Sequence, residues 1–166
     1  PYGKLPVLKH NELVLTETAT ICRYLINNFA PQVAQQQPLA LQAKIDAFSA
    51  IASIYIDKAI IRDYVLEFAF PKGENGEVRW DKVTAAQPAV IEALKVIECE
   101  LSDGQSLNGQ RLSIADAIIA PQLHYLSGLP EEFNLLVHSK VVNSYLKQLM
   151  VRPICQKILV TKSKGN

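Results

Sequence analysis

Cysteine, histidine, methionine and tryptophan are all scarce in this chain, with three, three, one and one among 166 residues. Each scarcity removes a class of protein. Cys22, Cys99 and Cys155 are far apart and odd in number, with no Cys-x-x-Cys pair, so neither a disulfide scaffold nor a dithiol centre is indicated. His10, His124 and His138 show no ligand spacing, and the expectation is that no metal is held. Charge of one sign is missing too: the formal net charge is +1, which gives no field for a nucleic-acid partner. Lys157, Lys162 and Lys164 make only a weakly basic, solvated tail. No run approaches 18 uninterrupted apolar residues and no signal-peptide pattern opens the chain, so the expectation is a cytoplasmic protein without a membrane partner.

Apolar residues, by contrast, make up 49% of the chain, ample for a substantial core. The opening PYGKLPVL lacks an initiator Met and reaches Pro6 at once. It reads as the approach to a strand in the middle of a domain, whose front half is expected to precede this sequence. Two apolar runs, Leu5 to Leu8 and Leu13 to Leu15, flank Lys9-His10-Asn11-Glu12 and predict a β-hairpin turning at Asn11. From Thr16 the period changes. Ala19, Cys22, Leu25 or Ile26, and Phe29 form a helical stripe, with Thr16 as the expected N-cap, Glu17 in the first turn and Pro31 as the stop. Cys22 on that stripe reads as a structural thiol.

The polar segment around residues 31–38, with a proline near each end, reads as a linker. From residue 39 to about 70 the chain is one long helical run of roughly 45 Å. Ile45, Phe48, Ile51 and Ala52 mark one apolar side, while Ile54, Ile60 and Ile61 spill round it. Apolar residues on two sides predict burial against a second subunit as well as in the helix's own bundle. Further helices are predicted from about Val83 to Leu101, from SIAD onward, near 138–150 and over 153–161, with Pro153 suited to a first turn. Ser113 and Asp116 form a capping box, a structural role. No strand is predicted after residue 38.

Two stretches resemble the glutathione-transferase family. Gly3-Lys4-Leu5-Pro6-Val7-Leu8, followed by Leu15-Thr16-Glu17-Thr18-Ala19-Thr20-Ile21-Cys22-Arg23-Tyr24-Leu25, is similar to G-K-(V/L)-P-x-L … L-x-E-S-x-A-I-x-x-Y-L. Leu107-Asn108-Gly109-Gln110-Arg111-Leu112-Ser113-Ile114-Ala115-Asp116 is similar to L-x-G-x-x-(L/F)-(S/T)-x-A-D, and Arg152-Pro153 to the start of that family's last helix.

The resemblance implies a mainly α fold: residues 1–30 as the second half of a thioredoxin-like α/β domain (two strands and a helix), 31–38 as linker, and 39–166 as the all-helical C-terminal domain. The hairpin is then expected to lean on the bundle, with an exposed strand edge. The resemblance also implies that Pro6 is cis and that the Leu5 backbone pairs with the cysteinyl part of glutathione. The Thr18 hydroxyl and N–H would bind the γ-glutamyl carboxylate, while Glu17 faces the ammonium. Thr18 stands where the family usually has Ser, keeping the hydroxyl and adding a methyl group. Tyr55, Arg62 and Tyr125 are candidates for the polar lining of the acceptor pocket.

A thiol of pKa 8–9 is mostly protonated at neutral pH, so thiol transfer needs a group that lowers it. The family supplies that group as a Tyr, Ser or Cys after the first strand, a segment not in this sequence, and Tyr2, beside the third strand, is a poor substitute. The expectation is therefore a glutathione transferase, homodimeric, conjugating glutathione to small electrophilic apolar compounds. This chain alone is expected to be inactive and to bind glutathione poorly. The alternative is a non-catalytic interaction module, like similar domains of translation elongation factor one gamma and aminoacyl-tRNA synthetase assemblies. A glutaredoxin-type redox enzyme is a third reading.

Overall fold

The computed structural model describes residues 2–3, 5–35, 37–107 and 109–159. Lys4 and Asn108 of the two motifs, Lys162 and Lys164 of the tail, and the end of the helix expected over 153–161 lie outside the described residues. The chain opens as an antiparallel hairpin, β1 (Val7–His10) and β2 (Leu13–Thr16), in the register Val7 opposite Thr16 and His10 opposite Leu13. Asn11 turns it with φ 54°, a left-handed conformation that asparagine tolerates better than most residues. Among the described residues β1 pairs with β2 alone.

Helix α1 (Thr18–Phe29) follows directly. Thr16, expected as its N-cap, is instead the last residue of β2, and Glu17 occupies the cap without a side-chain capping bond. The reason is backbone geometry: Glu17 has φ 68°, so the chain swings out of the strand one residue later than the side-chain pattern implies. Ile21 is buried; Ala19, Cys22 and Ile26 pack against the core beside it. Burial pushes the Cys22 thiol up, away from thiolate chemistry. The Tyr24 hydroxyl lies 2.6 Å from His10 Nδ1, and the Phe29 ring sits 5.9 Å from the His10 ring, which ties the hairpin to α1. Arg23 pairs with Asp46 and ties α1 to the next long helix.

The segment read as linker is partly helical. Pro31 both follows the end of α1 and opens α2 (Pro31–Gln35), because a first helical turn has no use for the N–H that proline lacks. The long helix runs from Leu39 to Ala69, and its mean hydropathy of 1.3 over 18 residues is enough to cross a membrane by length and composition. Here it forms the axis of a bundle. Its three parts are α3 (Leu39–Ile51), a π-helical segment (Ala52–Val65) and α4 (Leu66–Ala69). The wider π turn resets the faces. Ala52, Ile56, Ile60 and Tyr64 enter the core at steps of four, and the ion pairs Arg62–Asp57 and Lys58–Asp63 span five residues. Ile51 and Ile54, expected on the apolar sides, are exposed in consequence.

Helices α5 (Trp80–Asp103), α6 (Ile114–Ser127), α7 (Lys140–Met150) and α8 (Pro153–Ile158) close the bundle. Val83, Val90, Leu94 and Ile97 of α5 and Ile119, Leu123 and Leu126 of α6 meet the long helix in one core. The helix expected near 138 begins at Lys140, since Leu135–His138 form a 3-10 turn and Ser139 caps by accepting from the Val142 N–H at 3.1 Å. Arg152 donates to the carbonyls of Gly109 and Gln110, fixing the loop before α6.

Glu67 is 6% exposed and charged, so it needs a partner. Arg79 donates to both its carboxylate oxygens, through Nε at 3.0 Å to one and through its terminal nitrogen to the other. The bonds from Arg79 hold the Glu67 carboxyl below its usual range. A carboxylate whose folded pKa lies below its unfolded value, about 4.3, contributes stability that is present above that value. The contribution is lost as pH falls through the folded pKa. Acid denaturation below about pH 4 is therefore expected to be less steep in Glu67→Gln than in the parent. Superimposable acid limbs in circular dichroism would remove Glu67 from the acid response.

Candidate functional site

A cavity of about 440 Å³ opens where the hairpin meets the bundle. One wall comes from the first eighteen residues: Tyr2, Leu5, Pro6, Thr16, Glu17 and Thr18. The Leu5–Pro6 peptide bond at the entry to β1 is cis. Glu17 adopts φ 68°, ψ 121° at the junction of β2 and α1. For a residue with a Cβ this conformation costs on the order of 1–3 kcal/mol, and such outliers persist where the surroundings impose them, commonly at ligand clamps. The first-turn N–H groups of α1 converge at the same corner, with the positive end of the helix dipole. A strand-to-helix corner of this kind suits a ligand carboxylate, and Thr18 is on the lining there.

The facing wall is helical. Ser53, Asp57, Ile61 and Arg62 come from the π segment, and Ala117, Ile118, Pro121, Gln122 and Tyr125 from α6. Ser53, Asp57 and Ile61 share this face because the π segment repeats at steps of four. Arg62 Nε donates to Asp57 Oδ2 at 2.6 Å, so that charge is paired within the wall. Ser53 Oγ donates its proton to the Ser49 carbonyl at 2.8 Å.

Leu5, Pro6, Glu17, Thr18, Arg62 and Tyr125 thus come together around one hollow, although they come from the approach to β1, the β2–α1 junction, α1, the π segment and α6. Tyr55 does not join them. It is 71% exposed and off the lining, two residues out of step with the Ser53–Asp57–Ile61 row. Tyr2, dismissed on its place in the sequence, is on the lining but 88% exposed. Ser53, Asp57 and Gln122 escaped the reading of the sequence. The four-residue step of Ser49, Ser53 and Asp57 was the available signal, since residues four apart share a helix face.

Ser113 and Asp116 lie outside the cavity. Ser113 Oγ accepts from the Asp116 N–H at 3.1 Å, and Asp116 Oδ2 accepts from the Ser113 N–H at 2.8 Å, so the capping box is complete. Its effect on the site is to hold the start of α6, the helix that carries Pro121, Gln122 and Tyr125.

A family model described as the N-terminal domain of glutathione S-transferase matches residues 1–33, the hairpin, α1 and the corner between them. Glutathione S-transferase 4 of Zea mays is 26% identical over 159 residues, covering 95% of this chain and 70% of that protein. The chain is thus similar to glutathione S-transferases over nearly its whole length. Glutathione S-transferase F14 of Arabidopsis thaliana is 26% identical over 176 residues, covering 98% of this chain and 65% of that one. Among solved structures, glutathione S-transferase I from mais, in complex with an atrazine glutathione conjugate, superimposes with a TM-score of 0.79 at 23% identity, over 96% of this chain and 74% of that one. The fold is therefore the glutathione S-transferase fold: the second half of a thioredoxin-like unit followed by an all-helical bundle.

Proposed function

We propose that the protein conjugates the thiolate of glutathione to small electrophilic compounds with a largely apolar body. The observation that carries this reading is the meeting of Leu5, Pro6, left-handed Glu17 and Thr18 on one wall of a hollow whose other wall is helical and partly apolar. The Leu5 backbone lies along the cysteinyl part of the tripeptide. The Thr18 hydroxyl and N–H hold its γ-glutamyl carboxylate, and the Glu17 carboxylate faces its ammonium. Ile61, Ala117, Ile118 and Pro121 give the electrophile an apolar bed. In the reaction the thiolate sulfur forms a bond to the electrophilic carbon, and the displaced electron pair leaves with the leaving group or moves onto the conjugated acceptor. The residues of this chain bind and orient, which raises the effective concentration of the two reactants; none of them is assigned the lowering of the thiol pKa.

The same reading includes a cytoplasmic homodimer, supported by three scattered thiols and by the exposed Ile51, Ile54 and Tyr55 on the long helix. Calorimetric titration of the full-length protein with glutathione tests the site. Charge-assisted hydrogen bonds contribute about 1.5–3 kcal/mol, so Glu17→Gln and Thr18→Val are each expected to weaken binding roughly tenfold or more. Absence of binding by the parent protein would favour the interaction-module reading instead.

A further inference from the structure

A second hollow, of about 410 Å³, lies between the end of the long helix and the first turns of α5. Arg62, Asp63 and Glu67 come from the long helix, Lys72 from the loop after it, and Arg79 and Lys82 from the start of α5. Ala85 and Ala86 complete the α5 side and leave space that longer side chains would fill. Four cations thus line the hollow against two carboxylates, and both carboxylates are already engaged. Asp63 pairs with Lys58, which is off the lining, and both Glu67 oxygens accept from Arg79. The exposed acids Glu74, Glu77 and Asp81, close by in the chain, are off the lining too.

Arg62 is paired with Asp57. Lys72 and Lys82 are exposed, and among the described residues neither has a carboxylate within ion-pair distance. Their charges still converge here. After the hydrogen bonds from Arg79, and against burial, the charges of Arg79, Lys72 and Lys82 all act to lower the Glu67 carboxyl. Arg79 is held through Nε and one terminal nitrogen on that buried carboxylate, yet its side chain is still 35% exposed. A guanidinium fixed in this way and still accessible is a preorganised donor for an oxyanion. A concave surface with an excess of one sign also concentrates ions of the other.

We infer that this hollow binds a phosphate-type dianion, with Arg79 as the fixed donor and Lys72 and Lys82 as the two charges that the ligand neutralises. The shared chemistry is a phosphate monoester, whether on a free small molecule or on a lipid headgroup. The site shares only Arg62 with the proposed glutathione hollow and does not rest on that reading.

The test uses the full-length protein with two probes: glycerol phosphate, followed by calorimetry, and vesicles of neutral lipid containing a phosphatidylinositol phosphate, followed by sedimentation. Saturable binding of at least one probe is expected. Binding of glycerol phosphate assigns the group to a free ligand, and binding of the vesicles alone assigns it to a headgroup. Lys72→Gln and Lys82→Gln are each expected to weaken binding about fivefold, and the double variant roughly twentyfold. Both lysines are exposed, so the variants should keep the parent circular dichroism. Lys95→Gln removes the same charge from α5 at a residue paired with Glu92 and off the lining, and should change binding by less than about twofold. Failure of both probes to bind would overturn the site. So would binding that survives in the double variant, which would place the anion elsewhere, or an equal loss in Lys95→Gln, which would reduce the effect to overall charge.

Discussion

Asp116→Ala is expected to destabilise the protein by about 3–5 kcal/mol, although Asp116 touches no part of the cavity. The carboxylate is 1% exposed and serves two masters. One oxygen accepts the Ser113 N–H in the capping box, and the other accepts the Tyr145 hydroxyl at 2.5 Å. Loss of a cap costs on the order of 1–2 kcal/mol, and loss of a hydrogen bond to a charged group about 1.5–3 kcal/mol. Tyr145 is itself 3% exposed, so its hydroxyl would be left without an acceptor in the core. Burial and the neighbouring carboxylate already push that phenol well above its ordinary pKa, which keeps it a donor at any working pH. Tyr145→Phe removes only the second bond and should cost less. Because the two changes share one bond, their combined cost should fall short of the sum. Urea titration reads all three variants; strict additivity, or a cost below about 1 kcal/mol for Asp116→Ala, would mean the two contacts do not support the bundle as described.

Tyr64→Ala is expected to cost about 4–5 kcal/mol and to lower the melting temperature by about 10 °C or more. Tyr64 is wholly buried at the far end of the π segment. Its ring meets Phe68 edge to face at 5.5 Å, within a cluster that continues through Phe133 to Trp80. Its hydroxyl donates to the Phe133 carbonyl at 2.9 Å, joining the long helix to the turn at Glu131–Phe133. Truncation leaves a cavity the size of a ring and orphans that carbonyl. Tyr64→Phe separates the two effects, since it keeps the ring and should cost only about 1 kcal/mol. Equal losses in the two variants would place the whole contribution in the hydrogen bond and none in ring packing.

Legibility followed the range of the interaction. The hairpin, the helix starts at Ser113 and Pro153, and the end of the long helix near Phe70 were readable, because caps, prolines and turn residues act within a few positions of themselves. The corner at Glu17 was readable as a corner but not as a left-handed backbone. The strand, the helix and their packing impose that conformation together, and no side-chain pattern encodes it. The π segment was invisible for a similar reason. Its residues satisfy an ordinary helical stripe nearly as well, and only packing against α5 and α6 selects the wider turn. Tyr55 was misplaced as a consequence of that turn, because Tyr55 and Arg62, seven residues apart, share a face in an α-helix and not in the wider π segment.

Sequence alone determined the inventory: a strand-turn-strand opening with Pro6, a Glu17-Thr18 junction, a capping box at Ser113-Asp116 and a helical remainder. Those are decided by local backbone preference and by hydrogen bonds among near neighbours. Tertiary structure decided which of the inventory face one another. Gln122 met the carbonyl of Ala52, 70 residues away in the chain, only when α6 was laid against the long helix. A cavity is a property of two surfaces, and each segment's sequence specifies only its own.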